Sequence, residues 1–148
     1  QWRKLTLADK ATSTRTIPLS PYLAQLLARL PRVGPYVFVG TGKHGRIADT
    51  RASHAKALQS AGIAHLTLHG LRRSFSLLGE AAGAPAGAIA QVMGHQPSAT
   101  AAGYRPRSMD ALRPFLERIE AHILGLAGVQ FDSAIEPGKL ALVAGGAG

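Results

Sequence analysis

Between His69 and Tyr104 the chain carries His69, Arg72, His95 and Tyr104, residue types that together suit attack of a tyrosine hydroxyl on a DNA phosphodiester. Such a transesterification needs a nucleophile, donors that stabilise charge on the non-bridging oxygens, and a proton donor for the departing 5′ oxygen. Tyr104 is a candidate nucleophile, Arg72 and the two histidines are candidate charge stabilisers, and Lys10 is a candidate proton donor. Free tyrosine has a pKa of about 10, so ionising it at neutral pH costs about 4 kcal/mol, and a histidine base or local positive charge lowers that cost. Arginine suits the site because guanidinium stays charged and makes paired hydrogen bonds to phosphate. Taken singly, each residue has a commoner structural use: His95 bonding a helix-end carbonyl, Tyr104 packing half-buried, Arg72 as a surface charge. Their combination in a strongly basic chain carries the reading.

The chain has 148 residues and a hydrophobic fraction of 46%, which fits one globular domain with a real core and argues against disorder. Its net charge of +9 is uneven. Residues 1–79 hold 12 Lys or Arg against Asp9 and Asp49, whereas residues 80–148 hold 5 against 6 acidic residues, so the first half is expected to face a polyanion. Four Phe, three Tyr and one Trp offer little for base stacking, so duplex DNA held by its phosphates is expected rather than single strands or RNA. Cysteine is absent, which excludes disulfides and thiolate metal sites, and no signal peptide or run of about 18 apolar residues occurs. A soluble, cytoplasmic protein with no membrane partner is expected. The chain opens at Gln1 directly into a strand-like run, and we read it as a fragment of a larger protein.

The elements that must position these residues can be read in order. Trp2 to Leu19 reads as a β-hairpin with Lys10 at or beside its tip. Ser20 and Pro21 start a helix carrying Leu23, Leu26, Leu27 and Leu30, which Pro31 ends. Pro35 to Val39 reads as a short apolar strand, followed by the basic loop Gly40 to Arg46. Asp49 or Thr50 caps a helix running to about Ala61, with Arg51, His54 and Lys56 on it as further candidates for DNA-backbone contact. Thr67 caps the next helix, whose apolar positions Leu68, Leu71, Phe75 and Leu78 leave His69, Arg72 and Ser76 as a polar stripe. Gly83 ends it, Pro85 starts a short helix to Met93, and Gly94 leaves His95 at a sharp turn. A longer helix with Leu112, Phe115, Leu116, Ile119, Ile123 and Leu126 follows, with a start or kink at Pro114. From Gly128 onward the chain reads as a tail.

Competing chemistries fit less well. A two-metal nuclease needs clustered carboxylates, yet Glu80 is the only acidic residue between Thr50 and Met109. His65 and His69 have the i, i+4 spacing of a zinc pair, but no glutamate follows His65 and no third ligand is evident, so no metal site is expected. The loop around Lys43 lacks phosphate-loop spacing, so Lys43 and Arg46 are expected on DNA backbone or in solvent.

The segments His69-Gly70-Leu71-Arg72-Arg73-Ser74-Phe75 and Val92-Met93-Gly94-His95-Gln96-Pro97-Ser98-Ala99-Thr100, closing at Tyr104, resemble the motifs of the tyrosine recombinase, or phage integrase, family. His69 and Arg72 are 3 apart, Arg72 and His95 are 23 apart, and His95 and Tyr104 are 9 apart, as the family pattern requires. Lys10 with Pro18-Leu19-Ser20 is similar to the family's lysine-bearing hairpin, and Tyr104-Arg105-Pro106-Arg107 into Asp110-Ala111-Leu112-Arg113 resembles bacterial prophage integrases.

The resemblance implies a mixed α+β catalytic domain over residues 1–128, mostly helical with a small antiparallel sheet, and a tail over 129–148. It implies that Tyr104 forms a 3′-phosphotyrosyl link, that Arg72, His69 and His95 stabilise the transition state, that His69 is a candidate acceptor of the tyrosine proton, and that Lys10 is the general acid, with Lys4 as the alternative. Lys4, Lys43, Arg46, Arg73 and Arg105 are the expected DNA-binding residues. No cofactor or metal is implied, the partner is double-stranded DNA, and the full protein would act as a homo-tetramer on DNA, this fragment being a monomer. The family's first catalytic arginine lies before the hairpin, so the fragment is expected to be inactive alone. Prophage integration and excision by site-specific recombination is the preferred reading. A type IB topoisomerase ranks below it, and a non-catalytic DNA-binding module is the alternative from another class.

Overall fold

The computed structural model describes residues 4–9, 13–42, 44–47, 49–95 and 106–132. Two antiparallel strands, β1 (Lys4–Asp9) and β2 (Ser13–Pro18), form the expected hairpin, in register from Lys4 opposite Pro18 to Asp9 opposite Ser13. Side chains alternate: Leu5, Leu7, Arg15 and Ile17 are half-buried, while Lys4, Thr6, Thr14 and Thr16 face out. On the outer face the Thr6 and Thr16 hydroxyls lie 3.1 Å apart in a cross-strand hydrogen bond. Among the described residues five helices follow, so the fold is the mostly helical α+β architecture with a small antiparallel sheet that the resemblance implies. No helix among the described residues is long and apolar enough to cross a membrane.

Helix α1 (Pro21–Ala28) begins as expected after Ser20, with proline at its first position, but the Ser20 side chain makes no capping bond. The cap comes instead from the far end of the chain. Glu120 accepts the Tyr22 N–H at 2.9 Å and the Leu23 N–H at 3.0 Å, satisfying two of the donors that a helix start leaves open. Glu120→Ala is therefore expected to cost about 1–3 kcal/mol of stability, read from urea unfolding; an unchanged midpoint would remove Glu120 from this role.

The strand expected over Pro35 to Val39 does not form. Residues 34–38 are bends, and pairing is limited to a single bridge between Val39 and Arg46, with Ile47 N–H donating to Phe38 at 3.1 Å. Tyr36, Val37, Phe38 and Val39 are all exposed. Strand preference reflects packing on a half-buried pleated surface, and among the described residues this stretch pairs with no neighbour beyond that single bridge. Helix α2 (Arg51–Ser60) follows and ends at Gly62, as expected.

Helices α3 (Leu68–Ala81), α4 (Ala86–Met93) and α5 (Met109–Leu126) enclose the core. Ala84, Ile89, Met93 and Ile119 form its centre, with Phe75, Ala82, Phe115 and Ile123 packed around them. Gly79 lets the three helices approach closely: a Cβ there would lie 3.0 Å from Ile89 Cδ1 and 3.3 Å from Ile119 Cδ1. Leu68 and Leu71, at the start of α3, and Leu126, at the end of α5, are exposed although they lie on the apolar stripes of their helices. Pro114, expected to start or kink the long helix, lies inside it; the start is at Met109, where the Ser108 hydroxyl accepts the Ala111 N–H.

Candidate active site

The first histidine and arginine of the pattern sit on the opening turns of α3. The Thr67 hydroxyl accepts the Gly70 N–H at 2.9 Å, fixing the helix start, so His69 and Arg72 fall on adjacent turns of one face. His69 is exposed and Arg72 half-buried. Arg72 points away from solvent because it has a partner: its Nη2 donates to the Met93 carbonyl, 21 residues on.

That carbonyl closes α4, whose end explains the Met93-Gly94-His95 sequence. Gly94 takes φ 71°, its N–H donates to Gln91, and the His95 N–H donates to Ala90 at 2.8 Å. This paired closure requires a left-handed residue where it turns, and glycine adopts that conformation without strain. Met93 is the last helical residue, so its carbonyl has no partner within the helix and carries the negative end of the helix dipole. Arg72 supplies both a donor and a positive charge there. The two motif segments are thereby joined, with His95 exposed at the turn beside Arg72's anchor. One Arg72 nitrogen is engaged on Met93, and a guanidinium has four other N–H donors for an anion at the turn.

The same helix α4 also holds Arg107, three residues after Tyr104 in the sequence. The Gln91 side chain donates to the Arg107 carbonyl and accepts the Arg107 N–H, both at 2.8 Å. The Arg107 guanidinium lies over Gly87, where a Cβ would meet its Nη1 at 3.0 Å. Sequence reading missed Gln91, since a polar residue on a short helix gives no local sign of a partner 16 residues away. Gln91→Leu removes both bonds and leaves half-buried backbone groups without them, so a loss of about 1–3 kcal/mol is expected. Thermal unfolding identical to wild type would contradict this.

The remaining candidates fall in three groups. Lys4 is exposed on β1, Arg46 is exposed at the bridge with Val39, and Arg73 is exposed on α3; none of them joins the Arg72–His95 cluster through a hydrogen bond among those described. His54 is half-buried, and its Nε2 pairs with the Leu66 carbonyl at 2.5 Å, so it ties α2 to the link before α3. Arg51 is bonded to Asp49, whose carboxyl the neighbouring guanidinium and backbone N–H hold below the usual carboxylate range. Lys10, Lys43, Tyr104 and Arg105 lie outside the described residues. Among the described residues no three of His, Asp and Glu come together as a metal-binding group.

Comparison with known proteins agrees with these motifs. A family model described as the phage integrase family matches residues 3–110. The chain is 40% identical over 144 residues to a prophage integrase, IntF, of Escherichia coli strain K12, a match covering 92% of this chain and 31% of that protein. The chain thus spans about a third of the length of that curated relative. No solved structure matches it.

Proposed function

Because this chain belongs to the phage integrase family, we propose that it is the catalytic part of a site-specific recombinase that integrates and excises prophage DNA. The observation that carries the reading is the joining of Arg72 to the His95 turn, which brings together the two segments whose residue types suit a phosphodiester reaction. In this reading Tyr104 attacks phosphorus, a bond from its oxygen to the 3′ phosphate forms, and the bond to the 5′ oxygen breaks. The tyrosine proton passes to His69, and Lys10 protonates the departing 5′ oxygen. Arg72 and His95 hold the non-bridging oxygens as charge builds on them. The phosphotyrosyl link keeps the energy of the bond broken, so rejoining needs neither ATP nor metal.

Gln91 supports the same assignment. It fixes Arg107, three residues after Tyr104 in the sequence, on the helix whose end positions His95. Lys4, Lys43, Arg46, Arg73 and Arg105 would add contacts to the duplex backbone. Residues 1–128 would form the catalytic domain and 129–148 its tail, working in the cytoplasm within a homo-tetramer on DNA. The resemblance puts a further catalytic arginine before the hairpin, so activity is to be measured on the full-length protein that carries this chain. That protein, incubated with a nicked duplex built from the DNA flanking its own gene, is expected to form an SDS-resistant protein–DNA adduct. Binding without any adduct across the flanking sites would favour a non-catalytic DNA-binding module instead.

A further inference from the structure

We propose that Arg15 is a positioning residue that couples the β-hairpin to the His95 turn, an inference that rests on the reading of the site given above. Arg15 stands opposite Leu7 on the half-buried face of the hairpin, in line with Leu5 and Ile17. Packing alone would call for another apolar residue there, because turning a guanidinium inward sacrifices hydration. Its side chain instead crosses to the end of α4. A Cβ on Gly94 would lie 2.5 Å from the Arg15 Cζ, 3.2 Å from its Nε, and closer still to Nη1. The guanidinium therefore occupies the volume that any side chain at position 94 would need.

Two arginines thus converge on one helix end from different elements, Arg72 of α3 on the Met93 carbonyl and Arg15 of β2 on Gly94. The negative end of the α4 dipole accounts for both. The consequence concerns geometry at the phosphate. In the reading above, Lys10, which falls between β1 and β2 in the sequence, and His95, at the turn, have to act on one phosphodiester. β2 itself packs against α5. Arg15 carries the hairpin's reach onward to α4, and so sets the position of the hairpin relative to the His95 turn. Gly94 then answers two requirements, the left-handed backbone and the room for Arg15.

The test compares wild type, Arg15→Ala, Arg15→Lys, Gly94→Ala and the Arg15→Ala/Gly94→Ala double variant of the full-length protein. Melting temperature, DNA affinity and single-turnover cleavage of a saturated nicked duplex are measured for each. Arg15→Ala is expected to slow cleavage of bound DNA about 100-fold through misplacement of reacting groups, with melting temperature and affinity close to wild type. Arg15→Lys, which keeps the charge and most of the reach, is expected to recover part of that rate. Gly94→Ala is expected to lower the rate about tenfold less in the Arg15→Ala background than in wild type, because the colliding group is gone. Wild-type cleavage by the Arg15 variants, or equal Gly94→Ala effects in both backgrounds, would overturn the inference. So would failure of both Arg15 variants to fold, which would make the residue a structural one. If wild type itself forms no adduct, the reading of the site fails and this inference with it; an adduct from wild type and full-rate Arg15 variants defeats this inference alone.

Discussion

Arg72→Lys is expected to slow strand cleavage by about 10²–10³-fold, the usual cost of losing one well-placed donor to a developing oxyanion. The size follows from the two tasks the guanidinium would perform together in the proposed reaction. One nitrogen is held by the Met93 carbonyl at the end of α4, and the planar fork leaves other donors directed beside it. Lysine carries a compact charge on a flexible stem, so its ammonium can sit on the carbonyl or on a phosphate oxygen but lacks the geometry to brace one against the other. DNA affinity should fall much less than the rate, because in the proposed reading many other cations of the basic half would share the backbone contacts. Single-turnover cleavage on saturated duplex separates the two effects. A lysine variant that cleaves at the wild-type rate would show that Arg72 serves only as a cap for α4.

Tyr104→Phe is expected to abolish cleavage, with no detectable covalent adduct, while binding and its dependence on salt persist. Phenylalanine keeps the ring and removes the sole atom that could bond to phosphorus. No histidine or lysine at this site would yield the same phosphotyrosyl product, so the expected loss exceeds that for any residue acting on charge alone. Residual adduct in the Phe variant would move the nucleophile to Tyr22 or Tyr36. Tyr22 packs edge-on to Phe131 at 5.2 Å between ring centres, and Tyr36 lies in the bends before the Val39 bridge.

The helix boundaries were legible because their signals are local. Glycines at 62, 83 and 94 take positive φ where sequence placed helix ends, and Thr67 caps the helix it precedes. The His69–Arg72 spacing likewise needed only helical geometry. What sequence could not supply was the partner of a side chain. Glu120 reaches α1 across 97 and 98 residues, Gln91 reaches Arg107 across 16, and Arg72 reaches Met93 across 21. Periodicity shows which face of an element is apolar but not how far a neighbour covers it, and Leu68, Leu71 and Leu126 lie on apolar stripes yet are exposed. The run at Pro35 to Val39 has strand composition, yet its pairing among the described residues is a single bridge at Val39. Arg15 shows the same limit from the other side: its parity in the hairpin marks it as inward-facing, and only the fold reveals Gly94 as its destination.

The most direct measurement is to form the adduct with the full-length wild-type protein on a nicked duplex, digest both components, and identify the linked peptide and the linked DNA end. One modified peptide is expected, containing Tyr104 joined to a 3′ phosphate, with a free 5′ hydroxyl on the released strand. A link through any other residue, or to a 5′ phosphate, would contradict it.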